Sequence, residues 1–460
     1  MRDRVVWLGT LLYAALFTLL GAIKYAAHRN LVDFGIFAQT AASAFGCFCN
    51  TIEGSHWAYH FSPILYLVGP FVAISRSPIA LIALQSVACA LVAPAIAAIV
   101  EARSDARAAR RCALVVWLYP PLAGLAFGDF HENGFAPAAI AWMLWAFDQG
   151  YYRLVFLFAM LALAVKEDQA VFLAIAGALG AWRLRGTPMG RTAAAVCIAS
   201  ILVLGWFYAG IQPHASALAH WVPTRFYAWT SADLRALLPA GIAQRLGFLL
   251  LAFVPLLFLP FRSRMMWLAA APLAEVLLSR MSTTFTMGSH YAGAWLGYVL
   301  VPFAFALRAM PPERARRLLW LSAALCVLEF AVADPLHPGL NLRAPQQRDA
   351  SLDAFVNSLP ANIDVATQEE AYTHLALTDP RATLFPEYAS VPLQTCFALT
   401  DGDFPDSPRL QEYGAALHRL VKEGKYVLVR RSGAIALYRS RTSSAATTRC
   451  SHSLSMHTMR

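Results

Sequence analysis

The stretch Val5–Gln39, "VVWLGTLLYAALFTLLGAIKYAAHRNLVDFGIFAQ", decides the class of fold. Its apolar part, Val5–Ile23, is about as long as the roughly 20 residues that cross a bilayer. Arg2 and Arg4 precede it, so it resembles a signal peptide. The apolar region nevertheless outruns the roughly 7–15 residues of a signal core, and further apolar runs follow, which makes it an uncleaved first helix. Just beyond it a lone carboxylate, Asp33, stands between Val32 and Phe34. Three readings compete for Asp33: a helix cap, a solvated loop charge, or a group that does chemistry.

Composition extends the membrane reading to the whole chain. Of 460 residues, 58% are hydrophobic and 14% charged, and the mean hydropathy is +0.51. Soluble domains carry about 45–50% apolar and about 25% charged residues. The net charge of +10 does not mark a nucleic-acid binder, because Lys and Arg fall in short clusters between apolar runs. Such clusters are the pattern of topology signals. Cysteine shows no metal-type spacing, and Cys47 and Cys49 stand too close to bridge each other comfortably.

Expected spans run roughly over 5–27, 78–100, 112–128, 134–150, 154–168, 169–183, 192–211, 243–261, 265–281, 291–308 and 317–333, about eleven in all. With the N-terminus inside, every inner connection is basic, including Arg103/Arg107/Arg110/Arg111 and Arg308/Arg314/Arg316/Arg317. This sorting requires Ser62–Ile74, "SPILYLVGPFVAI", to lie along the outer surface. The opposite face then receives a long first loop (about 28–77), a second (about 212–242) and the tail. The expected organisation is a membrane domain at 1–333, a Pro-rich linker at 334–350, an extracytoplasmic α/β domain at 351–440 and a disordered tail at 441–460. "NIDVATQ" reads as a strand, "SPRLQEYGAALHRLVKEG" as a helix, and the alternation around Ser432-Gly433 as a hairpin.

Polar residues gather at the outer ends of the spans. "GDFHENGFAP" brings Asp129, His131 and Glu132 to one turn, as a metal or proton-transfer group or as a capped, solvated turn. Lys166, Glu167 and Asp168 form another, either an ion-paired turn or a site whose lysine neutralises a phosphate. Glu275 lies within an apolar run, with Arg280 or Lys166 as the expected partner. His290-Tyr291 is a phosphate or hydroxyl contact or an aromatic-belt pair, and Arg225 a lipid-phosphate or sugar contact or an interfacial anchor. His56 and His60, four apart, share one face if that segment is helical, a weak metal signal.

The set "DFGIFAQ" (Asp33–Gln39), "HFSPIL" (His60–Leu65), "GDFHENGFAP" (Gly128–Pro137), "KED" (Lys166–Asp168) and "SHY" (Ser289–Tyr291) resembles an uncharacterised prokaryotic family of multi-spanning membrane proteins with a domain of unknown function. That family is grouped with the GT-C glycosyltransferases, and the likeness runs from about residue 20 to about 440. One departure is Ala38, where a second acidic residue is expected before Gln39. The resemblance implies a mainly α, polytopic, GT-C-like fold with a small C-terminal soluble α/β domain. It implies a transferase of the plasma membrane that takes sugar from a polyprenyl-phosphate donor on the extracytoplasmic face, with no nucleic-acid partner and an acceptor that stays open. Asp33 would be the catalytic base. Lys166, Glu167, Arg225, Arg280, His290, Tyr291, Gln39 and His60 would bind substrate. Asp129, His131 and Glu132 would hold a divalent ion (Mg or Mn) or sugar hydroxyls.

Two other classes compete. A transporter or lipid flippase also brings charge to helix ends, but alternating access places its site near the midplane, whereas these clusters fall on one side. A non-enzymatic envelope scaffold leaves Asp33, His131 and Lys166 without a task.

Overall fold

The computed structural model describes residues 3–215, 226–227, 231–337, 342–388, 390–404 and 406–441, excepting the side chains of 231–234 and 236–240. Arg225 and all but the first residue of the expected tail at 441–460 lie outside the described residues. The chain divides into two compact units. Unit 1 comprises Met1–Gly21, Trp57–Val68 and Leu81–Pro338, and unit 2 comprises Ala22–His56, Gly69–Ala80 and Gly339–Arg460.

Unit 1 is helical, and burial separates its helices into two kinds. Val92–Glu101 and Ala292–Arg308 are apolar all round and bury nearly every side chain, as inner helices must. Arg4–Ala26, Pro188–Gly205 and Pro312–Ala333 leave large apolar residues outside: Leu11 is 66% exposed and Val332 73%. Water does not tolerate such surfaces over whole helices, but lipid does. Asp3 pairs with Arg110 at 2.7 Å and Asp148 with Arg308 at 2.6 Å, tying segments that the charge sorting places on one face.

The expected eleven spans are not all found as such. Among the described residues three helices are long and apolar enough to cross a membrane: Arg4–Ala26, Ile79–Glu101 and Pro188–Ala215. The run at 112–128 breaks at Tyr119, because proline disfavours a helical residue before it, and Tyr119 is extended (φ −71°, ψ 114°) ahead of Pro120. The run at 265–281 opens as 3-10 turns, and only Ala270–Leu278 is α-helical. Ser62–Ile74 contains the helix Leu65–Ser75 with Pro70 inside it. The second outer loop is shorter than expected, since a helix already begins at Ser231.

In unit 2 the helix Val32–Ala42 buries Phe34 through Ala41. Its N-cap is Leu31, whose side chain makes no capping bond, so Asp33 in the first turn is not the cap. Gly35 has a steric reason: a Cβ there would fall within the Tyr372 ring. Gln39 is buried, donates to the carbonyls of Asp379 and Ala382 at 3.2 and 2.9 Å, and accepts from Thr51 and Tyr372. A short hairpin, β1 (Cys49–Asn50) with β2 (Gly54–Ser55), follows. Against expectation Cys47 and Cys49 form a disulfide, because the turn before β1 brings their Cα atoms to 5.2 Å.

A small C-terminal sheet domain completes unit 2. Its strands are β3 (Val365–Thr367), β4 (Thr383–Leu384), β5 (Phe397–Asp401), β6 (Tyr426–Ser432) and β7 (Ile435–Ser440), in the order β4-β3-β5-β7-β6. β3 runs parallel to both neighbours, while β7 is antiparallel to β5 and β6. Gly433 turns the β6–β7 hairpin at φ +60°, a conformation that glycine enters without strain. The helix Pro408–Lys422 packs Tyr413 on Phe385 at a ring separation of 5.6 Å. Replacing Gly35 by valine should push into the Tyr372 ring and destabilise unit 2 by about 1–3 kcal/mol. Thermal unfolding of the detergent-solubilised chain should show a lower midpoint for Gly35→Val, partly restored by adding Tyr372→Ala.

Candidate functional site

The turn Gly128–Asn133 is held from one side by Gln85 on the helix Ile79–Ala90. Its Nε2 donates to the Leu125 and Gly128 carbonyls at 3.0 and 3.2 Å, and its Oε1 accepts from the His131 backbone N–H at 2.8 Å. From the other side Gly293, on the helix Ala292–Arg308, lies against the Asn133 carbonyl, where a Cβ would collide. The turn is therefore buried: His131 is 6% exposed, Glu132 0% and Asn133 1%. The solvated-turn reading does not describe it.

Four of the sequence clusters converge around it. His131 Nδ1 lies 2.8 Å from Glu132 Oε2, and Lys166 Nζ lies 3.7 Å from Glu132 Oε1. The rings of His131 and His290 stack at 3.8 Å, and Lys166 stands 5.8 Å from the centre of the Tyr291 ring. Glu167 accepts from the Phe61 backbone N–H at 2.9 Å and pairs with His60 Nδ1 at 2.9 Å. The Ile64 N–H donates to the Ala164 carbonyl at 2.7 Å, which fixes "HFSPIL" against "KED". Gln169 accepts from the buried Tyr298 hydroxyl at 3.3 Å.

Lys166 is the N-cap of the helix Glu167–Arg183 and is 6% exposed. Burial works against its charge, but the carboxylates of Glu132, Glu167 and Asp168 hold the ammonium well above its ordinary range. Burial likewise works against an ionised Glu132, and His131 and Lys166 overcome it, keeping that carboxyl well below the usual carboxylate range. Burial and the neighbouring Lys166 keep His290 below its ordinary value and therefore neutral at pH 7. The result is a buried cluster of an ammonium, a carboxylate and two stacked imidazoles.

The other expected residues fall elsewhere. Asp129 is half-buried beside the turn and gives its backbone carbonyl to Gln85 at 3.4 Å. Of the expected metal set Asp129, His131 and Glu132, the last two lie against each other at 2.8 Å. Arg280 gives its backbone N–H to the Phe226 carbonyl at 2.8 Å. Glu275 accepts from the Tyr227 hydroxyl at 3.0 Å. His56 pairs with Glu53 at 3.0 Å inside unit 2, and His60 pairs with Glu167 at 2.9 Å inside unit 1. Asp33 and Gln39 belong to unit 2.

Residues that sequence reasoning passed over include Gln85, Asn133, Gln169 and Tyr298. An amide inside an apolar run was the available signal for Gln85, since buried polar groups need partners. The buried Asn133 amide finds no hydrogen-bond partner among the described residues.

A family profile matches residues 28–395. The chain belongs to the family Predicted membrane protein (DUF2079). Curated protein sequences give no match. Among solved structures, ArnT from Cupriavidus metallidurans bound to undecaprenyl phosphate aligns with a TM-score of 0.55 at 11% identity, over 95% of this chain and 98% of that one. The apo form of the same enzyme gives 0.52 at 12%, over 92% and 97%. Apo Archaeoglobus fulgidus oligosaccharyltransferase gives 0.40 at 12%, over 81% and 64%. The ArnT alignments show a shared fold, the GT-C-like architecture, in a DUF2079 membrane protein.

Removing one member of a buried ion pair strands the other, at a cost of about 3–5 kcal/mol. Glu132→Gln in this DUF2079 protein should therefore lower unfolding stability by about that much. Adding Lys166→Met should recover part of the loss, so a double-mutant cycle by thermal unfolding should give a coupling well away from zero.

Proposed function

We propose that the chain is a GT-C glycosyltransferase that moves a sugar from a polyprenyl-phosphate donor to an acceptor on the extracytoplasmic face of the plasma membrane. The observation that carries this reading is the Lys166 ammonium. It is buried and held charged, yet its paired oxygen on Glu132 stands 3.7 Å away, beyond hydrogen-bond reach. The neighbouring carboxylates keep the ammonium charged without an ion-pair hydrogen bond at this distance, and a phosphate oxyanion is a ligand that supplies acceptors within reach. The likeness of the fold to ArnT, crystallised with undecaprenyl phosphate, supports the same donor class.

In the proposed step Asp33 takes the proton from the acceptor group. The freed electron pair bonds to the anomeric carbon with inversion, while the bond from that carbon to the phosphate oxygen breaks. Its electron pair leaves with the lipid phosphate, whose charge Lys166 meets, with Arg225, Arg280 and His290 as further donors. Glu167, His60 and Tyr291 contact the sugar, together with the unpartnered Asn133 amide. Gln39, whose amide is already engaged, positions the segment that carries Asp33. The proposed topology has a cytoplasmic N-terminus and an extracytoplasmic C-terminal domain.

The test uses the full chain in lipid with radiolabelled polyprenyl-phosphate sugars, scoring transfer and release of lipid phosphate. Asp33→Asn should lower kcat about 10²–10⁴-fold with donor binding retained. Lys166→Met should lower turnover about 10²–10³-fold and weaken donor binding. Translocation of the lipid without transfer would instead favour a flippase. Failure to bind any donor, undecaprenyl phosphate included, would leave the scaffold reading.

A further inference from the structure

Unit 2 holds a second polar cluster that the transferase reading does not use. His28 follows the first helix, Asp353 lies on the helix Gln347–Asn357, and His374 lies on the helix Glu369–Leu375. One donor atom from each lies within 4.8 Å of the other two. His28 Nε2 is 3.2 Å from Asp353 Oδ1, and His374 Nδ1 is 2.9 Å from the same oxygen. The His28 side chain is 0% exposed and that of His374 7%, whereas that of Asp353 is 39% exposed, so solvent reaches the group from its carboxylate side.

The opposite nitrogens decide what the cluster can hold. His28 Nδ1 lies 2.9 Å from the Glu370 carbonyl, and His374 Nε2 lies 3.0 Å from the Tyr25 carbonyl. A carbonyl only accepts, so each of these nitrogens must carry the hydrogen. In a neutral ring the other nitrogen then presents a lone pair, and both such lone pairs face a carboxylate oxygen. Three acceptors converge with no donor among them. Protonating both rings would supply donors but would stack two imidazolium cations at 3.7 Å. A divalent cation answers all three lone pairs at once.

We infer that His28, Asp353 and His374 form a binding site for a divalent transition ion of the zinc class. Two imidazoles and one carboxylate are borderline donors that suit zinc, with water or a further ligand completing the set. Bonds of about 2.0–2.1 Å to a tetrahedral ion place ligand atoms about 3.3 Å apart, close to the two histidine–aspartate separations here. The backbone carbonyls behind both rings are the outer partners that fix a ligating tautomer. His28 also adopts a left-handed backbone (φ +53°), uncommon for a residue with a side chain. Because the rings lie parallel within 15°, an ion in the plane of one lies off the plane of the other. Binding therefore turns one ring out of the stack. The ion would staple the end of the first helix to two helices of the C-terminal domain within unit 2.

The test is independent of any transferase assay. Full-length protein in detergent, free of affinity tag, is stripped with chelator and titrated with zinc, and metal content is then measured after dialysis. Co(II) in place of zinc reports nitrogen–oxygen ligation through its visible absorption. The expected result is one zinc per chain, bound at micromolar concentration or tighter, and a raised thermal midpoint. Asp353→Asn and His374→Gln should weaken binding at least 100-fold, whereas Glu313→Gln, at an exposed carboxylate, should bind as wild type does. Uptake only at millimolar zinc, or zinc retained in Asp353→Asn, would overturn the assignment. Should either ligand variant fail to fold, the wild-type stoichiometry and cobalt spectrum decide alone: no bound zinc, or a spectrum without nitrogen ligation, would also overturn it.

Discussion

An ammonium ion kept out of water is the constraint around which the polar half of unit 1 is arranged. Lys166 stays charged at 6% exposure only because carboxylates answer it, and each carboxylate in turn needs a fixed neighbour. Glu132 is met by His131, and Glu167 by His60 and a backbone N–H. Those partners arrive on turns that would otherwise be mobile, and Gln85 and Gly293 clamp the turn that brings two of them. One buried charge thus dictates the packing of segments widely separated in sequence. Oriented groups in a dry setting are also what electrostatic catalysis requires, since they need no rearrangement when charge develops.

Much of this was legible before any coordinates. Long apolar runs with basic borders identify a membrane protein, because hydrocarbon admits only backbone satisfied within itself. The clusters at His60, His131, Lys166 and His290 stand out because charged and imidazole groups beside apolar runs demand a reason. Where the reading failed, the cause was local geometry. Composition sees 112–128 as one apolar run, but Pro120 divides it. The disulfide between Cys47 and Cys49 depends on a turn that spacing does not report.

Partners in three dimensions were less legible still. Nothing near Glu275 in sequence points to Tyr227, and nothing near His28 points to His374. Gln85 reads as a stray amide in a helix until its three contacts appear. Periodicity and composition report what faces apolar surroundings. They do not report which distant polar group completes a hydrogen bond. The motif "DFGIFAQ" shows this: its glycine and glutamine have packing reasons that only the fold reveals.

The contact of Gly35 with Tyr372 has a consequence for how the protein is made. The Val32–Ala42 helix leaves the ribosome well before Tyr372, which packs on Gly35 from 337 residues further along the chain. Synthesis at about 5–20 residues per second separates the two by tens of seconds. During that interval Phe34 and Phe37 have only early-made neighbours such as Tyr25 and His56, so the packing of this helix is completed only after translation has passed Tyr372.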